Sequence, residues 1–136
     1  MEKLKFFVIA LVLVMLVAAC APAAAAPILT VNGKAYTRAE LEAFGTTSAD
    51  YTNKDGETTT YEGVLLSALL ADAGAADAGG EVVFVATDGY EATLPAKEAL
   101  ACADCIVAFD SESLLTVMPE MSSKLQVKDL VEIKID

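Results

Sequence analysis

Two of the three cysteines stand close together, in the segment Cys102-Ala103-Asp104-Cys105. Such a pair can form a disulfide, cycle between thiol and disulfide, or supply two ligands to a metal. A zinc site would need four ligands, and the chain has neither a second pair nor a histidine. Covalent haem attachment would need a histidine after the second cysteine, where Ile106 stands. We predict a structural disulfide between Cys102 and Cys105, with redox cycling of the pair as the alternative.

Other residue types narrow the chemistry further. Because the chain contains no histidine, Ser-His-Asp and Cys-His catalytic sites are excluded. Met118 and Met121 are soft thioether ligands that could hold Cu(I), so a copper carrier is a second alternative, although methionines more often fill gaps in a core. The carboxylates of Asp50, Asp55 and Glu57 lack calcium-loop spacing and are typical of hairpin turns. No catalytic residue and no metal ligand is predicted from these patterns.

The N-terminus has the features of an export signal. Lys3 and Lys5 precede an uncharged apolar run of 14 residues, 6–19, which fits a secretory signal peptide. A membrane-spanning helix usually needs about 20 apolar residues, so a run of 14 is short for one. The end of the run, Val17-Ala18-Ala19-Cys20, resembles the lipobox of bacterial lipoproteins, in which the peptide is cut before a cysteine that then carries a diacylglycerol.

This resemblance implies that residues 1–19 are a signal peptide and that Cys20 carries the lipid. The Ala/Pro composition of the following residues predicts a tether, so that 20–27 are the lipidated Cys20 with its tether, and the length of 28–136 predicts a single domain. The protein is expected outside the cytoplasm, anchored to the bacterial cell membrane by the lipid on Cys20. Seven tether residues span at most roughly 25 Å, so the domain would lie near its membrane.

The charge of the mature chain limits its partners. Removal of residues 1–19 takes two of nine basic and one of twenty acidic side chains, which leaves seven and nineteen, a net charge of −12. Arg38 is the only arginine. Such an acidic chain repels phosphate, so nucleic acid is excluded as a partner. A partner protein or a small-molecule ligand is expected besides the membrane.

The stretch from Glu81 to Leu100 holds the clearest structural signals. The apolar, β-branched run 82–86 predicts a strand buried on both faces, and Asp88-Gly89 predicts a turn. A returning strand, 90–94, ends at Pro95, which opens a short helix over 96–101.

The remaining elements follow from similar patterns. Asn32-Gly33 predicts a hairpin, and Thr37 with Glu40 has the capping-box spacing of a helix over 38–44. The sequence also predicts a Thr-rich hairpin of 47–53 against 57–61, and a helix over 64–70 that Gly63 separates from this hairpin. Two further strands are predicted over 105–109 and 114–118. In the last strand, Val131, Ile133 and Ile135 alternate with Glu132 and Lys134. The sum is an α+β fold, a β-rich single domain of short mixed or antiparallel strands and hairpins with about three short helices.

Three of these segments together resemble a known family. Tyr61–Gly74, Asp88–Pro95 and Val127–Ile133 are similar in order and spacing to motifs of the oxidoreductase molybdopterin-binding domain, which has the sulfite oxidase-like fold. The resemblance implies that fold, a pyranopterin–molybdenum cofactor, and a position for Tyr90 facing the substrate pocket. Tyr90, Tyr61 and Asp88 are therefore the candidate ligand pocket.

One departure from the family pattern decides the functional prediction. The cysteine that ligates molybdenum in the family is expected within 46–61, and no cysteine occurs there. We therefore predict a non-catalytic binding or accessory module on a molybdopterin-binding-type scaffold, with molybdopterin implied by the resemblance alone. A redox protein that binds a pterin-type cofactor in another way is the alternative.

Overall fold

The computed structural model describes residues 25–136, so the predictions for residues 1–19 and for Cys20 lie outside the described residues. The described chain has nine strands: β1 (Leu29–Val31), β2 (Lys34–Tyr36), β3 (Thr47–Thr52), β4 (Thr58–Leu65), β5 (Glu81–Ala86), β6 (Glu91–Pro95), β7 (Ile106–Asp110), β8 (Ser113–Val117) and β9 (Leu130–Ile135). It also has three short α-helices, α1 (Arg38–Glu42), α2 (Leu66–Asp72) and α3 (Ala96–Ala101), and a 3-10 helix, Ser123–Leu125. None of the helices in residues 25–136 has the length and apolar character needed to cross a membrane.

The strands form two sheets. The first has the order β2-β1-β9-β5-β6, in which β1 and β9 are parallel and the other pairs are antiparallel. The second has the order β3-β4-β7-β8 and is antiparallel throughout. The predicted α+β class, with mixed and antiparallel strands and three short α-helices, is confirmed.

The turns and the helix cap that local sequence signals predicted are present in the structure. Asn32 and Gly33 have φ values of 48° and 81°, the two positive values that a two-residue hairpin turn needs. Thr37 accepts a hydrogen bond from the Glu40 amide, and the Thr37 amide donates to Glu40 Oε2 at 2.7 Å, which completes the predicted capping box. Helix α1 ends at Glu42, two residues before the predicted end.

The stretch around Pro95 is confirmed as hairpin plus helix. β5 is buried on both faces, with Val82 and Phe84 fully buried and Val83 only 6% exposed. It pairs with β6, and α3 begins directly after Pro95, as predicted.

The prediction that Gly63 separates a hairpin from a helix is wrong. Gly63 lies inside β4 and pairs with Ala108 of β7, so the strand continues to Leu65 and α2 begins at Leu66. A Cβ at Gly63 would lie 2.1 Å from the carbonyl oxygen of Val107, so glycine permits the close approach of the two strands. Because Leu65 is in the strand, it packs with a different cluster from Leu66.

The predicted alternation of the last strand is also wrong at Val131. Val85 pairs with Glu132 whereas Ala86 pairs with Leu130, so Val131 forms a bulge. The bulge reverses the side-chain direction locally, and Val131 is 37% exposed although Ile133 is fully buried.

Apolar side chains form two clusters of unequal size. The main core contains buried residues from both sheets and from the helices, with Phe84, Leu69 and Ile133 at 0% exposure. The smaller cluster lies on the opposite face of the second sheet and consists of Ala49, Ile106, Ala108, Leu115 and Val117. β3 also contacts β8, although two strands separate them in the sheet, so the sheet curls around this cluster.

Candidate functional site

Tyr90 is an exposed aromatic residue that the fold holds in place. Its side chain is at the surface, with 46% of the residue exposed, and its hydroxyl donates to the carbonyl oxygen of Lys124 at 2.9 Å. Its amide donates to Asp88 Oδ1 at 2.9 Å, so Asp88 shapes the turn that presents the ring. Tyr90 lines a surface hollow of about 330 Å³ between β6 and the 3-10 segment, together with Glu91, Ala92, Thr93, Ser122, Lys124 and Leu125.

The structure separates the residues of the candidate ligand pocket. Asp88 and Tyr90 are adjacent in one turn of the first sheet, whereas Tyr61 lies in β4 of the second sheet. Tyr61 pairs with Ala49 and packs, half-buried, against the smaller apolar cluster. The hollow at Tyr90 is instead completed by Ser122 and Lys124, which no sequence motif indicated.

Cys102 and Cys105 form a disulfide at the junction of α3 and β7. Cys105 is fully buried, and Cys102 caps the C-terminus of α3. The carboxylate oxygen Oδ1 of Asp104 lies 3.3 Å from Cys102 Sγ. In the reduced state this negative charge would disfavour a thiolate, as the helix C-terminus does. These surroundings suit a structural bridge better than a redox-active pair.

The same three residues form a compact group of potential metal ligands. Ligand atoms of Cys102, Asp104 and Cys105 all lie within 4.8 Å of one another. The two sulfur atoms are bonded to each other, so neither is a thiolate free to coordinate a metal.

The described residues do not fit a pyranopterin–molybdenum cofactor. Segment 46–61, where the family ligand is expected, forms the β3–β4 hairpin without a thiol, and the cysteines at the α3–β7 junction are consumed by their disulfide. Arg38, the only arginine of the chain, stacks on Phe109 with its guanidinium carbon 4.4 Å from the ring centre. It also donates to Glu42 Oε1 and to the Ser111 carbonyl, both at 2.8 Å. The arginine therefore ties α1 to the β7–β8 turn.

Met118 and Met121 lie at one cleft. The cleft has a volume of about 520 Å³ and is lined by Asp50, Tyr51 and Thr52 of β3 and by residues 118–121, which follow β8. Met118 is only 2% exposed and belongs to the main core, whereas Met121 is half-buried at its edge. The two methionines are three residues apart, so the sequence alone indicates that they are close together. It does not indicate that β3 forms the opposite wall of the cleft, which results from the curl of the sheet.

A polar cluster that the sequence analysis missed joins β2 to α2. Tyr36 donates to Asp72 Oδ2 at 2.7 Å, and the Lys34 ammonium lies 2.6 Å from the same oxygen. Burial, and then the hydrogen bond to Asp72, raises the pKa of Tyr36, while the hydrogen bonds from Lys34 and Tyr36 lower the pKa of Asp72. Tyr36 and Asp72 are 36 positions apart and carry no motif, so no sequence signal pointed to the cluster.

No known protein-family model matches the chain, and a search of curated proteins finds no match.

Proposed function

We propose that the protein is a membrane-anchored, extracytoplasmic lipoprotein whose domain is a non-catalytic binding or accessory module on a sulfite oxidase-like scaffold. The lipid attached to Cys20 would hold the domain at the bacterial cell membrane. The domain would contact a partner protein or a small ligand through the surface around Tyr90, and would work without a cofactor of its own.

The Cys102–Cys105 disulfide is the observation that carries this proposal. Disulfides persist in exported proteins and are rare in the reducing cytoplasm. The bridge therefore supports the extracytoplasmic location that the lipobox-like segment before Cys20 implies. The same bond occupies both thiols of the domain, which supports a role that does not depend on molybdenum ligation by sulfur.

Tyr90 supports a role in binding. An exposed tyrosine offers a large apolar surface at a small cost in side-chain entropy, and such residues are common anchors in interfaces. The hydrogen bond to Lys124 reduces that cost further because it orients the ring before a partner arrives.

Ile28 indicates where the proposed tether would join the fold. Ile28 lines a hollow with Thr87, Glu112, Ser113, Asp129 and Val131, among others, so the tether would join the domain beside the β5–β6 and β7–β8 turns. These turns would lie nearest the membrane, so a partner that contacts Tyr90 at the end of the β5–β6 turn would do so close to the membrane. Since several of their side chains are acidic, the domain would be held at the membrane by its lipid and not by anionic headgroups.

Metabolic labelling with radioactive palmitate tests the proposal. The wild-type chain should incorporate label and fractionate with membranes, and Cys20→Ser should abolish both. The double variant Cys102→Ala/Cys105→Ala is the matched control, because it removes two cysteines yet should keep the label. Labelling that persists in Cys20→Ser would refute the anchoring.

A further inference from the structure

The cleft between β3 and residues 118–121 has the size of a small-molecule site. Its volume of about 520 Å³ falls within the roughly 300–1,000 Å³ that is usual for ligand pockets. That volume is much larger than a single metal ion requires. The cleft therefore suits an organic ligand better than copper.

The walls of the cleft include an apolar surface. Met118 is buried beneath it, Met121 and Pro119 are half-buried, and the half-buried ring of Tyr51 lies on the opposite strand. Thioether side chains are flexible and polarisable, so they adapt to apolar groups of different shapes. An aromatic or aliphatic body can pack against these residues.

The charges at the cleft have one sign. Among the described residues, Asp50 and Glu120 are the charged ones that line it, and none of the described lysines or Arg38 does. Asp50 Oδ1 accepts a hydrogen bond from the Thr60 hydroxyl at 2.6 Å, which orients the carboxylate. Within residues 25–136 neither carboxylate forms an ion pair. The site is therefore complementary to a cation.

The backbone at Glu120 is held in an unfavourable conformation. Glu120 has a φ of 63°, in the left-handed region that glycine adopts at much lower cost, and the Met121 amide donates to the Met118 carbonyl at 3.2 Å across this turn. A glycine would fit the turn better than glutamate does. The turn therefore holds the Glu120 carboxylate at the cleft at a conformational cost that glycine would avoid.

From these observations we propose that the cleft binds a small organic cation, an ammonium group carried on an apolar body. The ammonium group lies between Asp50 and Glu120, and the apolar body packs on Met121, Pro119 and Tyr51, above the buried Met118. The cleft is at the end of β8 opposite Ser113, which lies beside Ile28. It therefore lies at the far end of β8 from the point where the tether would join the domain. This inference goes beyond the proposed function and does not depend on lipidation.

Calorimetric titration of the full chain in detergent micelles tests the proposal with three probes of similar shape. These are phenethylamine, which is a cation, 2-phenylethanol, which is neutral, and phenylacetate, which is an anion. Phenethylamine should bind about tenfold more tightly than 2-phenylethanol, phenylacetate should not bind, and the preference should weaken with added salt. Equal binding of the cation and the neutral probe, or no binding of either, would overturn the proposal.

A matched pair of double variants separates the site from the overall negative charge. Asp50→Asn/Glu120→Gln should reduce phenethylamine affinity about tenfold, because it removes two exposed ion pairs. Asp55→Asn/Glu57→Gln removes the same charge at the tip of the β3–β4 hairpin and should leave the affinity unchanged. Equal losses in both would show non-specific attraction and refute the site.

Two further measurements distinguish a loss of the binding site from a loss of folding or from a metal site. Glu120→Gly should raise the thermal unfolding midpoint, because glycine relieves the positive φ, while it weakens phenethylamine binding. Unchanged binding in this more stable variant would exclude Glu120 from the site. Tight binding of Cu(I) that phenethylamine does not displace would identify a metal site instead.

Discussion

At the scale of single residues, the side chains with shifted pKa values serve the fold. Asp72 accepts from both Tyr36 and Lys34, and these contacts join β2 to the last residue of α2. Glu40 has its pKa lowered by the hydrogen bond from the Thr37 amide, and Lys134 has its pKa raised by Glu91. Each of these hydrogen bonds connects two parts of the chain. None of the groups with a shifted pKa lines the hollow at Tyr90, and Glu91, which does line it, accepts a hydrogen bond from Lys134.

Asp72→Asn should make the free energy of unfolding depend less on pH in the acidic range. The pKa of Asp72 in the folded state lies below its ordinary value of 3.8, so its charged form stabilises the fold at neutral pH. That contribution is complete above the ordinary value and is lost as the pH falls through the lower, folded-state pKa. Urea unfolding should show Asp72→Asn less stable than the wild type at pH 7, with a difference that shrinks below about pH 4.

Asp77→Asn is the control for this measurement, since Asp77 is exposed in the loop after α2. It should leave the free energy of unfolding unchanged at both pH values. A difference between Asp72→Asn and wild type that stays constant from pH 7 to pH 3 would contradict the assignment.

At the scale of elements, local signals predicted most of the structure. The turn at Asn32-Gly33, the capping box at Thr37 and the helix start after Pro95 depend on neighbours within four residues, and all three formed as expected. The errors at Gly63 and Val131 arise from pairing with distant strands. β7 extends β4 past the glycine, and β5 forces a bulge into β9, so neither outcome is encoded in the local pattern.

The candidate sites were less predictable than the elements for the same reason. The sequence identified Tyr90 and Asp88 within one turn, but Tyr61 lies on the other sheet, and Lys124, which bonds Tyr90, is 34 positions away. The cleft at Met118 requires β3 to approach the end of β8. Contacts that form when sheets curl and pack depend on the tertiary structure as a whole.

Gly63→Ala should destabilise the fold strongly. The new methyl group would lie 2.1 Å from the Val107 carbonyl oxygen and force β4 and β7 apart, so we expect a loss of about 3 kcal/mol in chemical denaturation. Gly79→Ala is the control, because a Cβ there meets nothing within 4 Å and its φ is not positive. Equal effects of the two substitutions would contradict the close approach of β4 and β7.

Reduction of the Cys102–Cys105 bond should lower the stability without abolishing the fold. The chain-entropy model gives about 2 kcal/mol for so small a ring. Urea unfolding of the wild type should therefore shift by about that amount on adding reductant. Cys102→Ala/Cys105→Ala should not respond to reductant, and a response in this variant would show that the effect comes from elsewhere.

At the scale of the whole molecule, the proposed lipid anchor would hold an acidic domain at a membrane. Ile28 lies next to the β5–β6 and β7–β8 turns, and the cleft at Met118 lies at the other end of β8. An anchored protein with this layout would present the cleft away from the bilayer, where a ligand in the surrounding solution can reach it. The net charge of −12 on residues 20–136 would favour cations near the whole surface.

Native mass spectrometry of the protein extracted from its own membranes tests the lipid anchor and the lack of a cofactor together, because one mass reports both. We predict a mass equal to residues 20–136 with one disulfide and a diacylglycerol-modified Cys20, with no pterin or molybdenum attached. A mass that retains residues 1–19 with an unmodified Cys20, or one that includes a stoichiometric molybdenum–pterin cofactor, would contradict the account of a lipid-anchored, non-catalytic binding module.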